Sequence, residues 1–249
     1  MIGYVTLGAD DLAAGAALYD ALAGSLGVGR MMETETFIAW AEPGAGPGRC
    51  LTKPFEGKPA SVGNGVLVAL AARDPAHVDE LYRIALAHGA TDEGAPGPRP
   101  GPPGFYAGYF RDPQGNKFNA FVMRDKKRAP MLGYLTLGAN DIARAAAFYD
   151  PIAAMLGAHR VFEAPGSIVW GGGEGAELDL TLPFDGKPAT VGNGVMAALQ
   201  CRNRADVDAI HALALSLGGA DEGGPGERGP GFSAGYFRDP DGNKLNAFV

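Results

Sequence analysis

FYAGYFRDPQGNKFNAFV, residues 105–122, returns almost letter for letter as FSAGYFRDPDGNKLNAFV, residues 232–249. In both copies an aromatic-rich run ends in Arg-Asp-Pro, a turn carries Gly115-Asn116 or Gly242-Asn243, and a second run alternates polar and apolar side chains. Proline after Asp fixes φ for a tight turn, and the following glycine supplies the φ > 0 position that sends the chain back antiparallel. Each stretch predicts a β-hairpin, and a hairpin needs a sheet on which to lie.

Outward from the hairpins the rest of the chain duplicates as well. Ile2-Gly3-Tyr4-Val5-Thr6-Leu7-Gly8 recurs as Leu132-Gly133-Tyr134-Leu135-Thr136-Leu137-Gly138, Trp40 as Trp170, and Gly63-Asn64-Gly65-Val66 as Gly192-Asn193-Gly194-Val195. The chain has 249 residues, enough for two domains with a core each. The repeat divides it into residues 1–123 and 131–249, with RDKKRAP, 124–130, as a solvated linker.

The net charge of −7 divides as −4 for 1–123, +3 for the linker and −6 for 131–249, which argues against a nucleic-acid partner. No apolar run reaches the roughly 20 residues of a membrane span, and the start MIGYVTLGADD lacks the basic residues of a signal peptide. The sequence therefore suggests a cytoplasmic protein without a membrane partner. Cys50 and Cys201 are not equivalent in the repeat and form no CxxC spacing, so both are expected to be reduced, structural residues.

Within the first half, a strand is expected over 4–8 and a helix over 12–26, capped by Asp10 or Asp11 and stopped by Gly27. Strands at 29–34, 37–42 and 49–55 follow. A second unit has a strand at 66–72, a helix at 76–88, a short strand near Ala90 and the hairpin. Asp92-Glu93-Gly94 and Asp221-Glu222-Gly223 are expected to be solvated turns. Gly63-Asn64-Gly65 precedes a strand rather than a helix, so it is no phosphate loop.

This order, with V-T-L-G-x-x-D-L opening the chain, Leu18-Tyr19-Asp20 or Phe148-Tyr149-Asp150 late in the first helix, G-N-G-V before the fifth strand and Y-F-R-D-P-x-G-N-K closing each half, resembles the glyoxalase, bleomycin-resistance and extradiol-dioxygenase (vicinal oxygen chelate) superfamily. The resemblance covers nearly the whole chain. It implies an α+β fold: a tandem repeat of two glyoxalase-like domains, each of two βαβββ modules forming a curved, partly open mixed β-barrel with helices outside. The chain then looks like a covalent version of the family's common homodimer, which allows a monomeric pseudo-dimer.

The resemblance also implies a divalent metal inside the curved sheet, held by His, Gln or carboxylate side chains. Its first-strand ligand falls on Tyr4 and Tyr134, its fifth-strand ligand on Leu67 and Met196, and its final-strand carboxylate on Asn119 and Asn246. Leu and Met cannot serve a hard cation, and Asn and neutral Tyr replace Glu and His poorly, so no metal cofactor is expected. Tyr4 can face either Leu67 and Asn119 or Met196 and Asn246. Glu177 or Asp179 can add one ligand in the second half. The histidines His77, His88, His159 and His211 have no counterparts and are expected on the surface or on helices.

Strand alternation turns Val5 and Leu7 toward the helices and Tyr4, Thr6 and Thr136 toward the concave face, with Lys117, Asn119 and Phe121. Trp40 and Trp170 are expected as aromatic walls of that pocket, with Ile38 and Ile168. The expected function is to bind a small, largely apolar organic molecule without metal. Two alternatives stay open: a metal-dependent glyoxalase-, isomerase- or dioxygenase-type enzyme, and a metal-free enzyme using Tyr4 or Tyr134 as acid or base.

Overall fold

The computed structural model describes residues 1–41, 48–123, 131–172 and 176–249. The expected linker 124–130 lies outside them, as does Glu42 at the end of an expected strand. The chain forms four βαβββ modules. The first has β1 (Ile2–Gly8), α1 (Leu12–Leu26), β2 (Gly29–Glu33), β3 (Phe37–Ala41) and β4 (Gly48–Thr52). The second has β5 (Leu67–Ala71), α2 (Pro75–Ala87), β6 (Thr91–Pro98), β7 (Tyr106–Arg111) and β8 (Lys117–Val122). The second half repeats them as β9 (Leu132–Gly138), α3 (Ile142–Met155), β10 (His159–Ala164), β11 (Ser167–Gly171) and β12 (Glu177–Thr181), then β13 (Met196–Gln200), α4 (Arg204–Ser216), β14 (Ala220–Gly229), β15 (Phe232–Arg238) and β16 (Lys244–Phe248).

Local chemistry accounts for most of these bounds. The Asp11 carboxylate accepts from the Ala14 N–H at 3.0 Å and Gly27 ends α1 at φ 79°. Helix α2 starts one residue earlier than expected because Pro75 fits the first helical turn, where no N–H is needed, under the Asp74 cap. Strand β4 stops at Thr52 rather than residue 55, because Pro54 opens a turn that Gly57 closes by donating to the Pro54 carbonyl at 3.1 Å. Asp92-Glu93-Gly94 and Asp221-Glu222-Gly223 are a correction: they lie in edge strands β6 and β14. Register shifts on either side of Gly94 and Gly223 let these Gly/Pro-rich strands pair at all.

The two eight-stranded sheets do not follow the two halves. One runs β14-β15-β16-β13-β1-β4-β3-β2 and the other β10-β11-β12-β9-β5-β8-β7-β6, so each takes one module from each half. The joins are antiparallel, β1 to β13 and β5 to β9. The two sheets are tied together on the helix side within each half, where the Tyr19 hydroxyl of α1 donates to buried Asp112 at 2.9 Å and Tyr149 donates to Asp239 at 2.8 Å. Asn116 and Asn243 reach across to the Gly8 and Gly138 carbonyls. One core, including Val5, Leu7, Leu22, Val68, Phe118, Leu135, Tyr149 and Leu245, fills the space between helices and sheets.

The recurring glycines mark where the halves cross. Gly65 sits at φ 96° with its α-carbon against Gly138, and Gly194 at φ 97° against Gly8, so a Cβ at any of the four would strike backbone. Asn64 and Asn193 complete the crossing, each donating to carbonyls of the other half's loop: Pro188 at 3.2 Å and Pro59 at 2.9 Å. The T-L-G and G-N-G-V repeats are the two parts of one inter-half contact.

Candidate functional site

Both sheets leave one face free of helices, and strand register lays the same two rows of side chains across it. In the β1 sheet the first row runs Cys50, Thr6, Met196 and on to Lys244 and Arg238; the second runs Gly48, Tyr4, Ala198, Asn246 and Tyr236. In the β9 sheet the rows are Asp179, Thr136, Leu67, Lys117 and Arg111, then Glu177, Tyr134, Ala69, Asn119 and Tyr109. The open pairing is thereby decided: Tyr4 meets Met196 and Asn246, and Tyr134 meets Leu67 and Asn119, each across the halves.

At the centre of each face is a tyrosine–asparagine pair. Asn246 Nδ2 donates to the Tyr4 hydroxyl at 2.9 Å, and Asn119 Nδ2 to the Tyr134 hydroxyl at 2.7 Å. Both amides are fully buried, and both Oδ1 atoms lack a partner among the described residues. Turning an amide over would only exchange the atom left out, so each pair keeps one unused amide atom whichever way it is assigned. With the amide donating, the phenol proton is also free to donate. Burial pushes both phenols well above their ordinary range, Tyr109 adding to the rise at Tyr134 and the amides opposing it in both.

Aromatic rings wall the pairs: Phe248 lies 4.9 Å from Tyr4 and Phe121 5.0 Å from Tyr134, centroid to centroid. Gly3 and Gly133 lie under these two phenylalanines, where a Cβ would strike the ring. Ala69, Ala107 and Phe121 with partly buried Leu67, Tyr109 and Tyr134 form an apolar cluster separate from the main core.

Both faces carry charged groups at their ends. At one end of each, a glutamate ties two cations: Glu93 holds Arg111 at 2.8 Å and Lys117 at 3.2 Å, and Glu222 holds Arg238 at 2.7 Å and Lys244 at 3.1 Å. At the other end the faces differ. Asp179 accepts from the hydroxyls of Ser167 at 2.8 Å and Thr136 at 3.1 Å, and burial raises its pKa from 3.8 to about 6, against those two bonds. Its counterpart Cys50 is a buried free thiol pushed up to about 12 by burial. Thr6, the counterpart of Thr136, donates instead to the Gly194 carbonyl at 2.8 Å.

Trp40 and Trp170 are corrections. Both lie on the helix side, with Ile38 and Ile168, packed 5.3 Å from Tyr19 and 5.7 Å from Tyr149. Each indole N–H donates at 2.8 Å to Asp20 or Asp150, which also binds Arg30 or Arg160. Alternation along β3 and β11 set against Leu51 and Leu180 forces this: Ile38 pairs with Leu51 and Trp40 with Arg49, residues on the same side as Leu7 and Val5.

The residues at the family's metal position do not suit a divalent cation. Leu67 offers no donor and Met196 only a soft thioether, and among the described residues no three His, Cys, Asp or Glu side chains gather.

Sequence reasoning passed over Phe55 and Phe184, which stand fully exposed in the repeated turns Pro-Phe-Glu-Gly-Lys and Pro-Phe-Asp-Gly-Lys. The carboxylate next to Phe55, Glu56, feels Arg238 and Glu222, which places this turn at the cationic end of the β1-sheet face. Two surface grooves lie elsewhere, one along α1 with Asp10, Ala16, Arg30 and Lys53, the other at Arg73, Phe105 and Met123. Neither is lined by a residue of a tyrosine–asparagine pair.

The family profile described as Glyoxalase/Bleomycin resistance protein/Dioxygenase superfamily matches residues 131–247, the half of which residues 1–123 are the internal repeat. Glyoxalase I from Zea mays shares the fold with a TM-score of 0.77 at 20% identity, covering 99% of this chain and 91% of that one. A putative dioxygenase from Bacillus subtilis subsp. subtilis str. 168 does so with a TM-score of 0.72 at 16% identity, covering 99% and 84%. A glyoxalase/bleomycin resistance protein from Albidiferax ferrireducens T118 is 34% identical over 50% of this chain and 99% of its own, with a TM-score of 0.46. No curated protein sequence matches the chain. With the repeated βαβββ modules and the matched profile, the chain belongs to the glyoxalase/bleomycin resistance protein/dioxygenase superfamily.

Proposed function

We propose that this protein binds a small planar organic molecule on the helix-free faces of its sheets, without a metal ion. The observation that carries the reading is the tyrosine–asparagine pair, present on both faces with a buried amide oxygen left without a partner. A buried polar atom without a partner costs about 1–3 kcal/mol, a cost a ligand donor would remove. Such a ligand offers a hydrogen-bond acceptor to the phenol and a donor to the amide, and lays its ring against Phe121 or Phe248. Entry displaces the partly exposed Leu67 or Met196 at the centre of the row. The raised phenol pKa disfavours Tyr4 or Tyr134 as a general base near neutrality, so binding is favoured over metal-free catalysis by tyrosine.

Native mass spectrometry and metal analysis of the purified protein test this reading. A bound organic mass, or binders from a screen of planar compounds, with metal well below one equivalent, supports it. A stoichiometric divalent ion overturns it and favours a metal-dependent enzyme of the superfamily.

A further inference from the structure

The two faces carry the same rows of residues and differ in charge at one end. On the β1-sheet face, Arg238 and Lys244 share the single carboxylate of Glu222, which leaves one net positive charge, and the far end of the rows holds Cys50 and Gly48. On the β9-sheet face, Arg111, Lys117 and Glu93 repeat that arrangement, but the far end holds Asp179 and Glu177. The α-amino group of Met1 lies toward Glu177. Asp179 is hydrogen-bonded by two neutral hydroxyls, Ser167 and Thr136. Three strand spacings, about 14 Å, separate the β12 end of a row from β8, within the span of a two-ring molecule with its substituents. At the rims, Lys58 with Glu56 and Lys187 with Asp185 cancel.

We propose that the two faces divide ligands by charge: the β1-sheet face takes a planar organic anion such as an aromatic carboxylate, and the β9-sheet face, with Asp179 opposite the same cations, excludes that anion and accepts neutral or cationic planar molecules. This rests on the binding role proposed above. The anion's ring lies against Tyr4, Met196 and Phe248, its carboxylate toward Lys244 and Arg238. On the other face the same pose brings the ligand's charge into the field of Asp179, in surroundings where two like charges repel far more than in water. Cys50, neutral at any ordinary pH, imposes no such repulsion.

The test uses the full chain at pH 8, where Asp179 is ionised, with three probes of one shape: 2-naphthoate, 2-naphthol and 2-naphthylmethylammonium. Affinity and stoichiometry come from calorimetry, and crystals soaked with each probe show which face is occupied. We expect naphthoate on the β1-sheet face alone with a stoichiometry of one, the ammonium probe on the β9-sheet face alone, and naphthol on both. Each charged probe should prefer its face by about tenfold or more. Asp179→Asn, which keeps the side chain's shape, should admit naphthoate to the second face and raise its stoichiometry to two. Naphthol binding with no preference of the charged probes between faces overturns the division and leaves the binding role standing. Failure of all three probes to occupy either face overturns both.

Discussion

Arg49 faces the helices from the middle of β4, fully buried, and among the described residues none of its three guanidinium nitrogens has a hydrogen-bond partner. The ring of Tyr19 at 4.5 Å and that of Phe118 at 5.8 Å offer cation–π contact, but burial still pulls its pKa down. Its counterpart in the repeat is Leu178. Replacing an unpaired buried cation with an apolar side chain removes a desolvation cost, so Arg49→Leu is expected to stabilise by about 1–3 kcal/mol. A lower urea midpoint in the variant would show that the charge is needed. Asp179 gives a second residue-scale expectation. Its carboxyl is harder to ionise in the fold than in the unfolded chain, so the folded state holds its proton longer. Stability is lost as pH rises from about 4 through about 6. Asp179→Asn should therefore match wild type at pH 4 and exceed it at pH 8 by about 1–2 kcal/mol, discounted for partial exposure. Melting curves at both pH values check this, and an equal difference at the two would point to packing rather than charge.

Among the elements, the crossing loops carry the strictest demand. Gly65 needs φ 96° and direct contact with Gly138, so Gly65→Ala combines backbone strain with a clash that no side-chain rotation relieves. A loss of about 2–4 kcal/mol is expected, whereas the control Gly24→Ala, at an exposed and uncrowded position in α1, should leave stability unchanged or raise it by up to about 1 kcal/mol. Equilibrium unfolding of the two variants decides it. The helices α1 and α3 were readable because their caps are local: Asp11 and Asp141 each reach three residues along the chain. Edge strands β6 and β14 were not, because glycine and proline usually signal turns. What makes these residues strands is their pairing with β7 and β15, from Thr91 with Arg111 and Ala220 with Arg238 at the far ends down to the turns.

For the whole molecule, the exchange of modules between sheets has a direct consequence. In an isolated first half, residues 1–123, both β1 and β5 lack the partners β13 and β9. Because β13 is the repeat of β5 and β9 the repeat of β1, two copies can restore both junctions. The half is expected to be a dimer by light scattering, and a folded monomer would show that each half completes its own sheet. The repeat, the hairpins, the helix caps and the superfamily resemblance were determined by sequence alone, since each depends on residue order or on contacts a few positions apart. Which Asn meets which Tyr, the helix-side burial of Trp40 and Trp170, and the placing of Asp179 opposite Arg111 and Lys117 were decided only by the tertiary structure. Strand alternation limits a side chain to one of two faces, but only the cross-half pairing of β1 with β13 and β5 with β9 says which sheet that face belongs to and what stands opposite it.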